Sequence, residues 1–546
     1  MADVDVVISG AGPNGLMLAC ELALAGVRAL VLDQQPGPSD EPKANGLIGQ
    51  VIRQLDMRGL YHAFGGAEGP PTPMTDWMFG GMQVGLFGVE DNPMHALLIQ
   101  QPRLVRLLEK RARDLGVDVR WGHEVTGLVQ GPGGVTITVS GDREYELDAT
   151  YLVGADGGRS VVRKSVGIGF PGSTTNTVTR MADVHLPDEL RAEDGSYVVP
   201  GFGRLRFLHN RLDNGGYIFM QLASAGRTLF ATMESGRLAP DAPPMSLDDL
   251  RESARRVLGV DLPLEPPRGP GPHAMRRMDG QNTRLAQTYR AGNVLLLGDA
   301  AHVHSAMGGP GLNLGLQDTV NLGWKLAAEV NGWAPADLLD TYESERRPVA
   351  ERVMMQSLTQ LALMANGPEV GALRTLFGEL LELPAVKGHM ANLLAGSDVR
   401  YDMTVRHPLA GLLFPDLELA DGRRVAELLH DARPVLVDLS GGTFAARADG
   451  WANRIDVVTG AVVGSSVTGM LLRPDGYVAW ASNTSDVDDV TNLVAALERW
   501  FGPSGEGRPG ADGDVGQRQT GGVGQRRMGG EQLAHLVEGL GTDRRR

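Results

Sequence analysis

The chain has 546 residues, more than one hydrophobic core ordinarily organises, so two or three domains are expected. Apolar residues make up 42% and charged residues 21%, which supplies enough core-forming side chains to exclude wholesale disorder. A formal net charge of −15 repels phosphate backbones and anionic lipid, disfavouring nucleic acid and membrane surfaces as partners, and a single cysteine excludes intrachain disulfides and multi-cysteine metal sites.

That cysteine, Cys20, sits in an apolar helical pattern where it reads as a small core residue. No run of about 18 apolar residues supports a membrane span, and the N terminus carries acids where a secretory signal carries Lys or Arg. A cytoplasmic protein is the expectation, with no spacing of His, Cys and carboxylates that defines a metal site.

In chain order, β-branched Val4–Ser9, a helical pattern over Leu16–Leu24 and apolar Val27–Leu32 form a βαβ unit. Between its first strand and helix stands Gly10-Ala11-Gly12-Pro13-Asn14-Gly15, where glycines allow a tight turn and close approach of backbone to a pyrophosphate. Asp33 ends the second strand, about 20 residues on, where a carboxylate accepts from ribose hydroxyls. A helix pattern follows over 102–115, then strand patterns near 117–121, 135–139 and 151–153. The last of these leads into Gly154-Ala155-Asp156-Gly157-Gly158-Arg159-Ser160 and Arg163, a turn suited either to phosphate and sugar groups or to capping a helix. Residues 170–272 carry strand-like runs broken by Pro and Gly, including 217–222 and 228–233. Apolar Val294–Leu297 then precedes Gly298-Asp299-Ala300-Ala301-His302 and a glycine loop, Gly308-Gly309-Pro310-Gly311-Leu312-Asn313, which opens a long helical region from Leu312 to about Leu394. After His407 the pattern changes to short mixed elements up to Phe501. From Gly502 onward Gly, Gln, Arg and Asp dominate, and a disordered tail is expected.

These three motifs, in this order and spacing, resemble the class A flavoprotein monooxygenases of the p-hydroxybenzoate hydroxylase fold. Gln317-Asp318, Asn321-Leu322, Trp324-Lys325-Leu326-Ala327 and Tyr342–Arg346 extend the likeness. Val399-Arg400-Tyr401-Asp402 and Leu472–Val478 resemble segments of bacterial aromatic polyketide hydroxylases, which add a C-terminal thioredoxin-like domain. The resemblance implies an α/β protein: a Rossmann-type FAD-binding domain over 1–170 that resumes over 276–400, an inserted substrate-binding sheet over 171–275, a thioredoxin-like domain over 401–501 and the tail over 502–546. That third domain contains no cysteine, so it is read as a packing or oligomerisation module, which leaves a homodimer open.

For single residues, the resemblance assigns FAD contacts to Gly10, Gly12, Gly15, Asp156, Asp299, Gly309, Gly311, Leu312 and Asn313. It adds Gln101 near the flavin or ribityl chain and the backbone of Val125 facing the adenine. Asp33 stands where the family usually has Glu, Lys43 where an Arg commonly lies near the cofactor phosphates, Ala306 where a proline is common, and Pro310 where Gln is frequent. The implied chemistry is reduction of noncovalent FAD by NADPH or NADH, addition of O2 at flavin C4a, and transfer of one oxygen atom to a phenolic ring of a polycyclic polyketide or similar natural product. Baeyer–Villiger insertion by the same cofactor and a catalytically silent FAD-fold module are the alternatives. No essential catalytic side chain is assigned: His302, His304, Arg159 and Tyr217 are tempting, but backbone-bonded or core roles compete for each. Phe219, Met220 and Met233 read first as sheet core.

Overall fold

The computed structural model describes residues 3–41, 43–222, 227–239, 241–462 and 466–505. The expected disordered tail lies, beyond residue 505, outside the described residues. Its proposed start does not: Gly502 accepts from Trp451 Nε1 at 2.7 Å, and Arg454 donates to the carbonyls of Phe501 and Pro503, so these residues are tied to the body.

The first sheet has the order Arg290–Ala291, Val294–Leu296, Glu144–Gly154, Val4–Ser9, Ala29–Asp33, Asp118–Trp121. Along that order every pairing but the first is parallel, and Val6, Val7 and Ile8 of an inner strand are fully buried, as a strand covered on both faces requires. An antiparallel meander, Glu124–Gly131 and Gly134–Ser140, feeds the long strand Glu144–Gly154.

A second sheet is wholly antiparallel, in the order Leu208–Leu212, Gly215–Leu222, Arg227–Ser235, Thr177–Val184, Met275–Asp279. One face carries Tyr217, Phe219, Phe230 and Ala182 onto the helix Leu247–Leu258, which begins with a Ser246/Asp249 capping box and ends at Gly259 in the left-handed conformation. Side chains alternate along a strand, so the opposite face presents Ile218, Ala231 and Met233 elsewhere.

The helical region starts two residues earlier than Leu312, at Pro310, because proline suits the first turn, where its missing N–H has no intrahelical acceptor. It is four helices, Pro310–Val330, Thr341–Met364, Pro368–Leu381 and Pro384–Ala395. The first is buried without interruption from Asn313 to Ala328, polar residues included. The last sheet, Asp456–Thr459, Val435–Asp438, Gly469–Leu472 and Val478–Ser482 in that order, has one parallel and two antiparallel pairings, the thioredoxin-like arrangement; the helix Val487–Phe501 packs on it through Leu493, Leu497, Trp500 and Phe501. Among the described residues no helix is long and apolar enough to cross a membrane.

Candidate functional site

The three glycine motifs meet in space. Ala155 N donates to Ser9 O at 2.8 Å, and Gly10, at φ +113°, lies so close to the second motif that a Cβ would stand 2.4 Å from Ala155 O. A Cβ on Gly15 would stand 2.0 Å from Gly10 O, so the turn closes only on glycine. Asn14 is wedged between the third motif and its helix: a Cβ at Gly298 or Gly315 would fall 2.2 or 2.3 Å from Asn14 Nδ2. Gly12 differs, since nothing lies within 4 Å of its Cβ position, and it faces open space where the other two glycines face protein.

That space is bordered by groups suited to a dinucleotide. The helices Pro13–Leu24 and Pro310–Val330 both begin Gly-Pro, and neither has a side-chain cap, so their first-turn N–H groups remain for an anion. Asp33 holds the loop, Oδ2 accepting from Ala11 N at 2.7 Å and Oδ1 from Gln35 N at 2.8 Å, and retains lone pairs for hydroxyls. Asp156 Oδ2 accepts from Val161 N and Val162 N, so the helix-capping alternative holds for that oxygen, while Oδ1 and Asn14 Oδ1 are buried without a partner among the described residues. Asp299 is exposed to solvent, yet enclosed enough that desolvation raises its carboxyl pKa against the opposing pull of His302 and Lys43, which places it on the wall of a cleft.

Other expected contacts are placed less directly. Lys43 is exposed, its Nζ 3.9 Å from Glu41, and its charge is felt at Asp299. Gln101 opens the helix Gln101–Asp114 with its N–H bonded to Ala44 O. Val125 is buried at a register shift in its strand, close behind His123, whose N–H donates to Asp33 O. Gly309, at φ +71°, caps the helix that carries Gly311 and Leu312. Asn313 spends its side chain on protein, accepting from Ile48 N at 2.9 Å and donating to Gly309 O at 2.7 Å, so any cofactor contact there comes from its backbone. Arg163 is likewise spent: it donates to Ala300 O and Gly158 O and lies over Phe170, clamping the second motif to the third.

His302 and His304 divide between the two readings. His304 Nδ1 lies 3.0 Å from Ser305 O, a backbone partner, and burial pushes its titration down to about 4. His302 is paired with a carboxylate instead, Nε2 lying 2.7 Å from Asp318 Oδ2; Asp318 Oδ1 accepts from Arg346 Nε, and Arg346 Nη1 donates to Tyr401 OH. The sequence quoted Asp318 and Arg346 only as parts of similar segments, and nothing in their spacing of 28 shows that both serve His302. Tyr217 is core, its OH accepting from Arg206 N, and Phe219 is core as expected. Met233 instead meets Met307 and Met364, with Ile218 and Leu361 against them, so the free face of the second sheet abuts the glycine loop. Gln360 fastens that junction, accepting from Gly80 N and donating to Met307 O. A surface groove of about 670 Å³ is lined by residues of Arg400–Ala410 and contains none of the motif residues.

Residues 3–357 match the FAD binding domain family and residues 407–504 the aromatic-ring hydroxylase C-terminal family. The chain is 40% identical to the 12-dehydrotetracycline 5-monooxygenase/anhydrotetracycline 6-monooxygenase of Streptomyces rimosus, over 91% of this chain and 99% of that one. It is 34% identical to the dialkyldecalin synthase of Streptomyces rugosporus, over 91% and 99%. Among solved structures, CabE, an aromatic hydroxylase from angucycline biosynthesis, superposes with a TM-score of 0.80 at 35% identity over 92% of this chain and all of that one. The protein therefore belongs to the FAD-binding aromatic-ring hydroxylases: it is an FAD-dependent monooxygenase.

Cys20 bears on how the flavin is held. Burial pushes its thiol up to about 12, and its sulfur faces Leu108 O inside the core, so it offers no thiolate to the flavin. Acid precipitation is expected to leave all flavin absorbance in the supernatant; yellow protein in the pellet would refute noncovalent binding.

Proposed function

We propose that the enzyme takes its electrons from NADPH or NADH and oxygenates a ring of a polycyclic phenolic polyketide. The observation that carries the reading is the junction of Met233 and Met364 with Met307: an apolar, adaptable wall set directly against the loop that opens the flavin-side helix. Relatives named for tetracycline and angucycline oxidation support the substrate class. The synthase among the relatives shows that the fold alone does not fix the reaction.

Bound FAD would supply the redox chemistry and oxygen activation that side chains cannot. The glycine turn at Gly10–Gly15 and Asp33 would hold its adenosine and pyrophosphate, and Asp156 and Asp299 its ribityl chain. The uncapped N terminus at Gly311 and Leu312 would favour negative charge on the flavin ring. The methionine wall would exclude water from the reacting edge. For the nicotinamide coenzyme, a separate pocket of about 330 Å³ offers Arg159, Lys164 and Arg284 with Phe170 and Asn282, three cations and an aromatic face suited to phosphates and a base. Incubation with NADPH, NADH and anhydrotetracycline-type polyketides under oxygen-18 gas tests the reading. Coenzyme oxidation stimulated by the polyketide and one labelled atom in the product are expected. Label drawn from water, or coenzyme oxidation indifferent to every polyketide, would overturn it.

A further inference from the structure

On the sheet face turned toward the glycine loop stands one imidazole with no hydrogen-bond or ion-pair partner among the described residues. His209 lies opposite Ile218 in the register, and cross-strand neighbours project from the same face, so the ring stands on the side that meets Met233, Met307 and Met364. Its backbone setting is strained. Leu208, immediately before it, has φ +62°, a left-handed conformation that a bulky residue keeps only when its surroundings impose it. Asn210 imposes it: its side-chain amide donates to the carbonyls of Arg206, Phe207 and Leu208 at 2.9, 3.3 and 3.0 Å. From the other side, the turn at Gly81 closes in, where a Cβ would stand 2.9 Å from His209 O and 2.8 Å from Met364 Sδ.

The ring is accessible to solvent only in part, and its enclosure by protein pushes its titration down to about 4, so it is uncharged near neutrality and carries one donor and one acceptor. Cations on the adjoining elements are committed. Arg211 donates to the carbonyls of Ala365 and Gly367, Arg374 to those of Gly80, Gly81 and Leu363, and Arg276, on the same face by register, pairs with Glu41 at 3.0 Å.

We propose that His209 reads the polar edge of an uncharged fused-ring substrate, one ring nitrogen donating to a substrate carbonyl oxygen and the other accepting from a substrate hydroxyl. The inference rests on the oxygenation reading above and narrows it: the substrate is a neutral hydroxy-keto polycycle rather than an aromatic carboxylate, because a carboxylate would meet a neutral imidazole and arginines already bonded to carbonyls or, for Arg276, paired with Glu41. A strained, clamped backbone then serves to aim a neutral polar group at the edge of the methionine wall.

The test titrates FAD-loaded protein with chrysazin, a dihydroxyanthraquinone, with unsubstituted anthraquinone and with an anthraquinone carboxylate, following tryptophan quenching. Wild type is expected to bind chrysazin at least tenfold more tightly than either other probe. In His209→Leu the advantage of chrysazin over anthraquinone should disappear while the Kd for anthraquinone stays unchanged. His209→Gln, which retains a donor and an acceptor, should restore most of the advantage. If His209→Leu fails to retain FAD, His209→Ala carries the same comparison. A chrysazin preference undiminished in the apolar variants overturns the proposal, as does wild-type preference for the carboxylate. Wild type that binds none of the three also overturns it, and the oxygen-18 experiment then decides separately whether the oxygenation reading survives.

Discussion

Asp299→Ala is expected to lower FAD occupancy roughly tenfold or more at limiting cofactor, the largest effect of any single substitution in the cleft. The side chain follows the buried strand Val294–Leu296 and lies on the cleft wall, where its carboxylate would accept from a ribityl hydroxyl. Removing a hydrogen bond to a charged group costs about 1.5–3 kcal/mol, and each 1.4 kcal/mol is about a factor of ten in Kd. Asp299→Asn keeps an acceptor without the charge and should fall between. Because desolvation raises the carboxyl pKa, protonation and loss of the charged acceptor begin at a higher pH than for an ordinary aspartate, so FAD affinity should fall with acidification in wild type but not in Asp299→Ala. Equilibrium dialysis against FAD checks both; wild-type affinity in a folded Asp299→Ala protein would remove Asp299 from the site.

The second large effect is on stability. Glu345 is buried where three segments meet: Oε1 and Oε2 accept from Arg473 at 2.6 and 2.8 Å, and Oε2 also accepts from Lys325 Nζ and Asn321 Nδ2, each at 2.7 Å. Arg473 pairs further with Asp475 and lies over Trp500 and Trp324. Glu345→Gln would leave two buried cations facing one carboxylate, and breaking a buried pair in this way costs about 3–5 kcal/mol. With an unfolding entropy near 2.1 cal/mol/K per residue over about 500 residues, that corresponds to a fall of about 4 °C in Tm by calorimetry. Burial alone would raise the Glu345 pKa, but Arg473 and Lys325 overcome it and pull the value down to about 2. A depressed carboxylate contributes its stability above the unfolded pKa and loses it as pH falls toward the folded one, so the Tm curves of wild type and Glu345→Gln should converge between about pH 4.5 and 2. Curves that stay parallel through that window would show that the charge of Glu345 is not what stabilises the junction.

How far the sequence disclosed this arrangement depends on whether the relevant interaction is local. The glycine turns were legible because Gly10 and Gly15 are required by contacts within or beside one strand-turn-helix unit, and because the acids Asp33 and Asp299 directly follow apolar strands. The parallel βαβ unit and a separate sheet after residue 170 were legible for the same reason, whereas the antiparallel pairing of that sheet was not. Asn313 and Arg163 looked equally suited to a cofactor by position, but the structure commits them to the Ile48 N–H and the Ala300 carbonyl, both far away in the chain. No pattern marked His209, since its significance comes from a cross-strand register, a strained predecessor and the emptiness of its hydrogen-bonding surroundings. The chain of contacts from His302 through Asp318 to Arg346 was hidden because it joins a loop to two helices through side chains alone.

The central helix Pro310–Val330 carries a buried charge whose surroundings are completed by the last part of the chain. Lys325 sits in its core-facing surface, and burial pushes its titration down to about 8 even with Glu345 and Asp475 opposing. Glu345 balances this charge directly, Arg473 and Asp475 of the C-terminal domain complete the cluster, and Arg58, paired with Glu21 at the other side, likewise donates to the carbonyls of Leu429 and Pro474. The cysteine-free C-terminal sheet is thus a keystone for the charged interior of the flavin-binding half: without the turn at Arg473–Asp475, Glu345 would lose its bidentate partner and Arg58 one of its carbonyl acceptors.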